Sequence, residues 1–156
     1  MTTEDRRPQS GKPSLGRILV VDDEPDIAAM VERRLRLSGY DVVVARNGHE
    51  ALSVARQENP DLIIMDLMMP GLDGHQVCSL LKTDRRFRDT PIIILSARTE
   101  LNAIDASVEC GADAYVGKPF DHKVLIAQVE SLLCAKRAQE NPPADAEFET
   151  RPAGGK

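Results

Sequence analysis

Residues 61–74 read DLIIMDLMMPGLDG, and the first six letters decide the fold. The run at 61–65 is too short for a helix, rich in isoleucine, and apolar without period-2 alternation. A strand with no polar face is covered on both faces, as in a parallel sheet flanked by helices. An acid, Asp66, follows the run directly. Pro70, Gly71 and Gly74 then break the chain before a helical pattern begins.

The same kind of run recurs at Arg17–Val21 (RILVV), Asp41–Ala45 (DVVVA), 91–95 (PIIIL) and 113–116 (DAYV). Helical periodicity fills the gaps. At 25–38, Ile27, Met30, Val31 and Leu35 form one stripe, with Pro25 in the first turn and Gly39 as the stop. Asn47 caps a helix over Gly48–Glu58, which Pro60 ends. A third helix at 74–83 carries Val77, Leu80 and Leu81, and a fourth at 99–110 carries Leu101, Ile104 and Val108. Asp121 caps the last, whose stripe is Val124, Leu125, Val129, Leu132 and Leu133. Strict βα alternation with right-handed crossovers predicts an α/β fold, a doubly wound five-stranded parallel sheet.

Composition agrees. The chain has 156 residues, 42% of them hydrophobic but only 3% aromatic, so its core is aliphatic and fits one domain. Segments 1–16 and 138–156 are rich in Pro, Gly and charge and read as disordered tails around a folded unit at 17–137. A net charge of −5 lacks the basic footprint of a nucleic-acid binder, so no direct nucleic-acid contact is expected. Three scattered cysteines argue against a disulfide framework or zinc site. No signal peptide or membrane-length apolar run is present, which points to a cytoplasmic protein with no membrane partner.

In such folds ligands bind beyond the carboxyl ends of the strands. Asp22, Asp23 and Glu24 follow the first strand and Asp66 the third. Ser96 follows the fourth, and Gly117-Lys118-Pro119 the fifth. Each is individually more common as a cap or turn residue. Their shared position, each directly after a strand, suggests one chemistry. A carboxylate attacking a phosphoryl centre needs its surroundings to neutralise charge. Asp22 and Asp23 suit Mg²⁺ together with Asp66, while Lys118 and Ser96 suit phosphoryl oxygens.

The motifs ILVVDDEPDI, DLIIMDLMMPGLDG, PIIILSA and GADAYVGKPF, in that order, resemble those of the receiver domain of bacterial two-component response regulators. The resemblance covers about residues 17–137 and implies a flavodoxin-like (βα)5 sheet of order 2-1-3-4-5. It implies that Asp66 accepts a phosphoryl group from a sensor histidine kinase or phosphotransfer protein. Metal ligands would be Asp22, Asp23, Asp66 and the Met68 carbonyl, with Mg²⁺ as cofactor and Mn²⁺ a substitute. Lys118 would bridge acids and phosphoryl oxygen, Lys118–Pro119 would be cis, and Ser96 with Tyr115 would form the switch. Generic X-Pro bonds are cis in only about 5–6% of cases, so that expectation comes from the family alone. The resemblance makes the chain a phosphoacceptor that self-phosphorylates and slowly self-dephosphorylates, not a turnover enzyme.

Two rivals fare worse. Phosphatases resembling the haloacid dehalogenase group need a second acid two residues beyond the nucleophile, where this chain has Met68. A nucleotide or flavin module would want a Gly- or Ser/Thr-rich loop where Asp22, Asp23 and Glu24 stand. His49, His75 and His122 have no paired nucleophile in the sequence and read as surface groups. No output segment is recognisable after Arg137, so the chain is expected to be either a stand-alone receiver or a piece of a larger regulator. It would signal to a downstream protein through the helix at 99–110, the fifth strand and the last helix. Apolar Met68 has no group to orient an attacking water. The phosphorylated parent is therefore expected to outlast phosphorylated Met68→Asn in a half-life assay; a parent that decays faster rejects this.

Overall fold

Adjacent residues of a strand point to opposite faces, so each apolar run must feed two separate cores, and it does. In the computed structural model, which describes residues 14–97 and 111–140, the strands are β1 Arg17–Val21, β2 Asp41–Ala45, β3 Leu62–Asp66, β4 Ile92–Ala97 and β5 Ala114–Lys118. Leu19, Val21, Ile63, Met65, Ile92 and Ile94 enter one core, while Ile18, Val20, Leu62, Ile64, Ile93 and Leu95 enter the other. All pairings are parallel, in the order β2-β1-β3-β4-β5. This is the flavodoxin-like sheet.

Four helices cover it among the described residues: α1 Pro25–Leu37, α2 Gly48–Glu58, α3 Gly74–Lys82 and α4 His122–Glu140. Val31 and Leu35 of α1 share a core with Leu125, Val129 and Leu133 of α4; Ala51 and Ala55 of α2 share the other with Val77, Cys78 and Leu81 of α3. The helix expected at 99–110 lies outside the described residues. Burying a large aliphatic side chain contributes roughly 1.5–3 kcal/mol, so these two layers dominate the favourable side of folding.

Several expectations need correction. Met30, Leu80 and Val124 are 43%, 48% and 51% exposed, so none is a core residue. Each turn of 3.6 residues carries them roughly 60–100° off the nearest buried neighbour; Ala28 and Cys78 occupy the core positions instead. Strands run further than expected: Ser96 lies within β4, and Gly117 and Lys118 within β5. α4 continues through Ala138, Gln139 and Glu140, where the tail was expected to begin.

Local chemistry fixes the ends of these elements. The Asn47 side chain accepts the Glu50 N–H at 2.8 Å. Asp73 and Gln76 close a reciprocal capping box at the start of α3. At the amino edge of the sheet, Arg17 pairs with Asp41 at 3.1 Å and Glu58 at 3.0 Å. Leu15 N–H donates to Gly39 O at 3.0 Å, and the Arg137 guanidinium bonds Leu15 O, so both ends of the described unit meet there.

Gly74 is where α3 approaches the end of β3. Its N–H donates to Leu67 O at 2.9 Å, and a Cβ there would lie 2.7 Å from Asp66 O and 2.9 Å from Leu67 Cα, both backbone. Gly74→Ala is therefore expected to destabilise the fold by about 1–3 kcal/mol. The measurement is the urea midpoint; an unchanged midpoint would refute the contact.

Candidate functional site

Register brings the site together. Asp66 ends β3 opposite Leu95 of β4; one residue further on, Ser96 faces Gly117 of β5, and Ala97 faces Lys118. Asp22 follows β1, which neighbours β3. Lys118 reaches back across β4. Its Nζ donates to Asp66 Oδ1 at 3.0 Å and lies 3.8 Å from Asp22 Oδ2. Asp22 and Asp66 are 1% and 5% exposed, whereas Asp23 faces solvent.

The acids are unequally satisfied. Asp22 Oδ1 accepts the Glu24 N–H at 2.9 Å, but its buried Oδ2 has no hydrogen-bond partner. A buried acceptor without a donor is costly. Carboxylate oxygens from Asp22, Asp23 and Asp66 all lie within 4.8 Å of one another. That hard-oxygen set fits Mg²⁺, and the orphaned Oδ2 is the atom that a cation would satisfy.

Burial and neighbouring charge shift the proton affinities of Asp22, Asp66 and Lys118. Burial pushes the Asp22 carboxyl up to about 6; the Glu24 N–H opposes this, and the charge of Asp66 adds to it. Burial raises Asp66 as well, against the hydrogen bond and charge of Lys118 and the Met68 N–H. Burial works against the charged Lys118 ammonium, but the hydrogen bond and charge of Asp66, with Asp22 and Glu24, prevail and hold its pKa above the usual lysine value. In a carboxylate environment this crowded, a divalent cation relieves repulsion as well as binding.

The other expected residues fall around this group. Ser96 is fully buried. The Met68 side chain is 60% exposed while its backbone turns back over Asp66. The Lys118–Pro119 peptide bond is cis. Tyr115 packs on the core shared by α2 and α3.

His75 does not fit the reading of it as a surface group. Its Nε2 lies 3.2 Å from the Tyr115 hydroxyl in a partly buried contact. Nothing in helical periodicity marks His75; only its place just after Gly74, beside the strand end, hints at it.

A family model described as "Response regulator receiver domain" matches residues 18–130. This chain belongs to the response regulator receiver family. The DNA-binding response regulator MtrA of Mycolicibacterium smegmatis is 43% identical over 129 residues, covering 83% of this chain and 54% of that protein. The receiver domain of Francisella response regulator 1452 superposes with a TM-score of 0.70 at 36% identity, covering 77% and 98% of the two chains. Chemotaxis protein CheY4 of Vibrio cholerae gives 0.72 at 29%, covering 76% and 99%. The chain spans about half the length of the curated relatives it matches. No helix among the described residues is long and apolar enough to cross a membrane.

The shifted Asp22 makes stability depend on pH. Its folded pKa, about 6, lies above the ordinary 3.8, so the folded receiver binds the proton more tightly than the unfolded chain. Below pH 3.8 no penalty exists; it grows as pH rises towards 6 and then levels off. In metal-free protein, Asp22→Asn is therefore expected to gain stability relative to the parent between pH 4 and 6, with added Mg²⁺ narrowing the gap at pH 7. Urea midpoints at several pH values check this, and a parent–variant gap independent of pH would contradict it.

Proposed function

We propose that this receiver domain takes a phosphoryl group onto a carboxylate oxygen of Asp66 from the phosphohistidine of a sensor histidine kinase or phosphotransfer protein. The observation carrying this reading is the 3.0 Å Lys118–Asp66 bridge beside the orphaned Asp22 Oδ2. The Asp66 oxygen attacks phosphorus, the P–N bond breaks as the O–P bond forms, and the electron pair returns to the imidazole. Lys118 Nζ exchanges its carboxylate partner for a phosphoryl oxygen, so its charge follows the transferred group. Mg²⁺, or Mn²⁺, when bound by Asp22, Asp23, Asp66 and the Met68 carbonyl, supplies the remaining neutralisation of phosphoryl charge.

Ser96 donates its hydroxyl to another phosphoryl oxygen and Tyr115 turns behind it. The result is a population shift rather than a new surface. The same residues accept the group from small phosphodonors, and the acyl phosphate hydrolyses slowly, without turnover of a substrate. The proposed setting is cytoplasmic. Output passes to a downstream protein through a face including β5 and α4. The name of MtrA, a DNA-binding response regulator, favours a second reading in which the output is gene regulation.

Incubation with acetyl phosphate and Mg²⁺, followed by intact mass, tests the central step. The parent is expected to gain one phosphoryl group, abolished by EDTA and absent from Asp66→Ala. A stable adduct on Asp66→Ala, or none on the parent, would overturn the proposal.

A further inference from the structure

The His75–Tyr115 contact joins two elements that the sheet does not connect. His75 is the second residue of α3, Tyr115 the second of β5, and 3.2 Å separates imidazole Nε2 from the phenol oxygen. Either group donates according to the imidazole tautomer. The phenol is half-buried against the core shared by α2 and α3, so movement of the ring changes both packing and this hydrogen bond.

His75 itself is held firmly. The Asp73–Gln76 capping box sets the first turn of α3. Gly74 N–H bonds Leu67 O at 2.9 Å, and Leu67 N–H bonds Leu95 O at 2.8 Å, beside Ser96. Leu67 is covalently next to Asp66. The residue after the phosphoacceptor is thus tied by backbone to the turn that carries His75, and His75 touches Tyr115. Packing that admits no Cβ at Gly74 keeps this turn in register with Asp66.

We infer that His75 is a positioning residue which latches Tyr115 to the first turn of α3 and so sets the balance between the two ring positions. The inference rests on the reading of Tyr115 as the switch. A neutral hydrogen bond of ordinary net strength biases a two-state ratio by between about twofold and tenfold. Removing it loosens the ring's hold on α3 without altering Asp22, Asp23, Asp66 or Lys118.

The chain has two tyrosines and no tryptophan, so tyrosine labelled at the ring Cε positions alone gives one NMR signal per residue, with buried Tyr40 as internal reference. In unphosphorylated His75→Leu, the Tyr115 signal is expected to move away from its position in the unphosphorylated parent by a twofold to tenfold population change. His75→Gln, which retains hydrogen-bonding capacity, is expected to stay near the unphosphorylated parent. Thermal melts of both variants identify mere loss of folding. Intact mass, read separately, reports whether Asp66 accepts the group. A parent that takes no phosphoryl group defeats the proposed function, while the unphosphorylated comparison still reads the latch. Superposition of the His75→Leu and parent signals in folded protein, or equal displacement by Leu and Gln, overturns the inference.

Discussion

The site depends on holding three carboxylates against one ammonium at the edge of a sheet. Lys118 directly bridges Asp66 and stands 3.8 Å from Asp22, so its charge is divided between two buried acids. Repulsion that is only partly cancelled would open a loosely packed edge. Here the acids issue from β1 and β3, which are central strands, and their backbones are fixed by ladders on both sides. The hydrophobic layers above and below provide the rigidity, and the unmet electrostatic demand makes the edge receptive to a cation and to a group that rearranges the charge.

Much of this was readable from the chain, for physical reasons. Aliphatic runs such as ILVV and LIIM cannot sit in a two-layer arrangement without leaving one face wet, so the doubly wound sheet followed from them. Acids, hydroxyl and lysine directly after such runs could be assigned to one edge because parallel strands share a direction. Pairing was less legible. That Lys118 reaches past β4 to Asp66 depends on register, and register depends on how far each strand extends; β4 and β5 both run further than their apolar letters suggest. Met30, Leu80 and Val124 lie off the buried stripes because an apolar letter near a stripe does not establish its angle on the helix. His75 reads as a surface group from the chain alone, because its partner lies forty residues away on another layer.

The loop between β3 and α3 does more than connect them. Gly71, at φ +81°, follows Pro70 in a conformation that L side chains avoid. Before this turn Met68 N–H donates to Asp66, and after it Gly74 packs on the Asp66 carbonyl. The first turn of α3 is thus seated directly on the backbone of Asp66 and Leu67.

Both ends of the described unit leave from the amino edge of the sheet, where Leu15 bonds Gly39 and Arg137 reaches Leu15. Asp22, Asp66 and Lys118 sit at the opposite edge. A module genetically joined before Ser14 or after Glu140 therefore departs from the rear of the molecule, and neither junction crosses the acids. For an engineer, fusion at either end of the described unit attaches at the edge away from Asp22, Asp66 and Lys118.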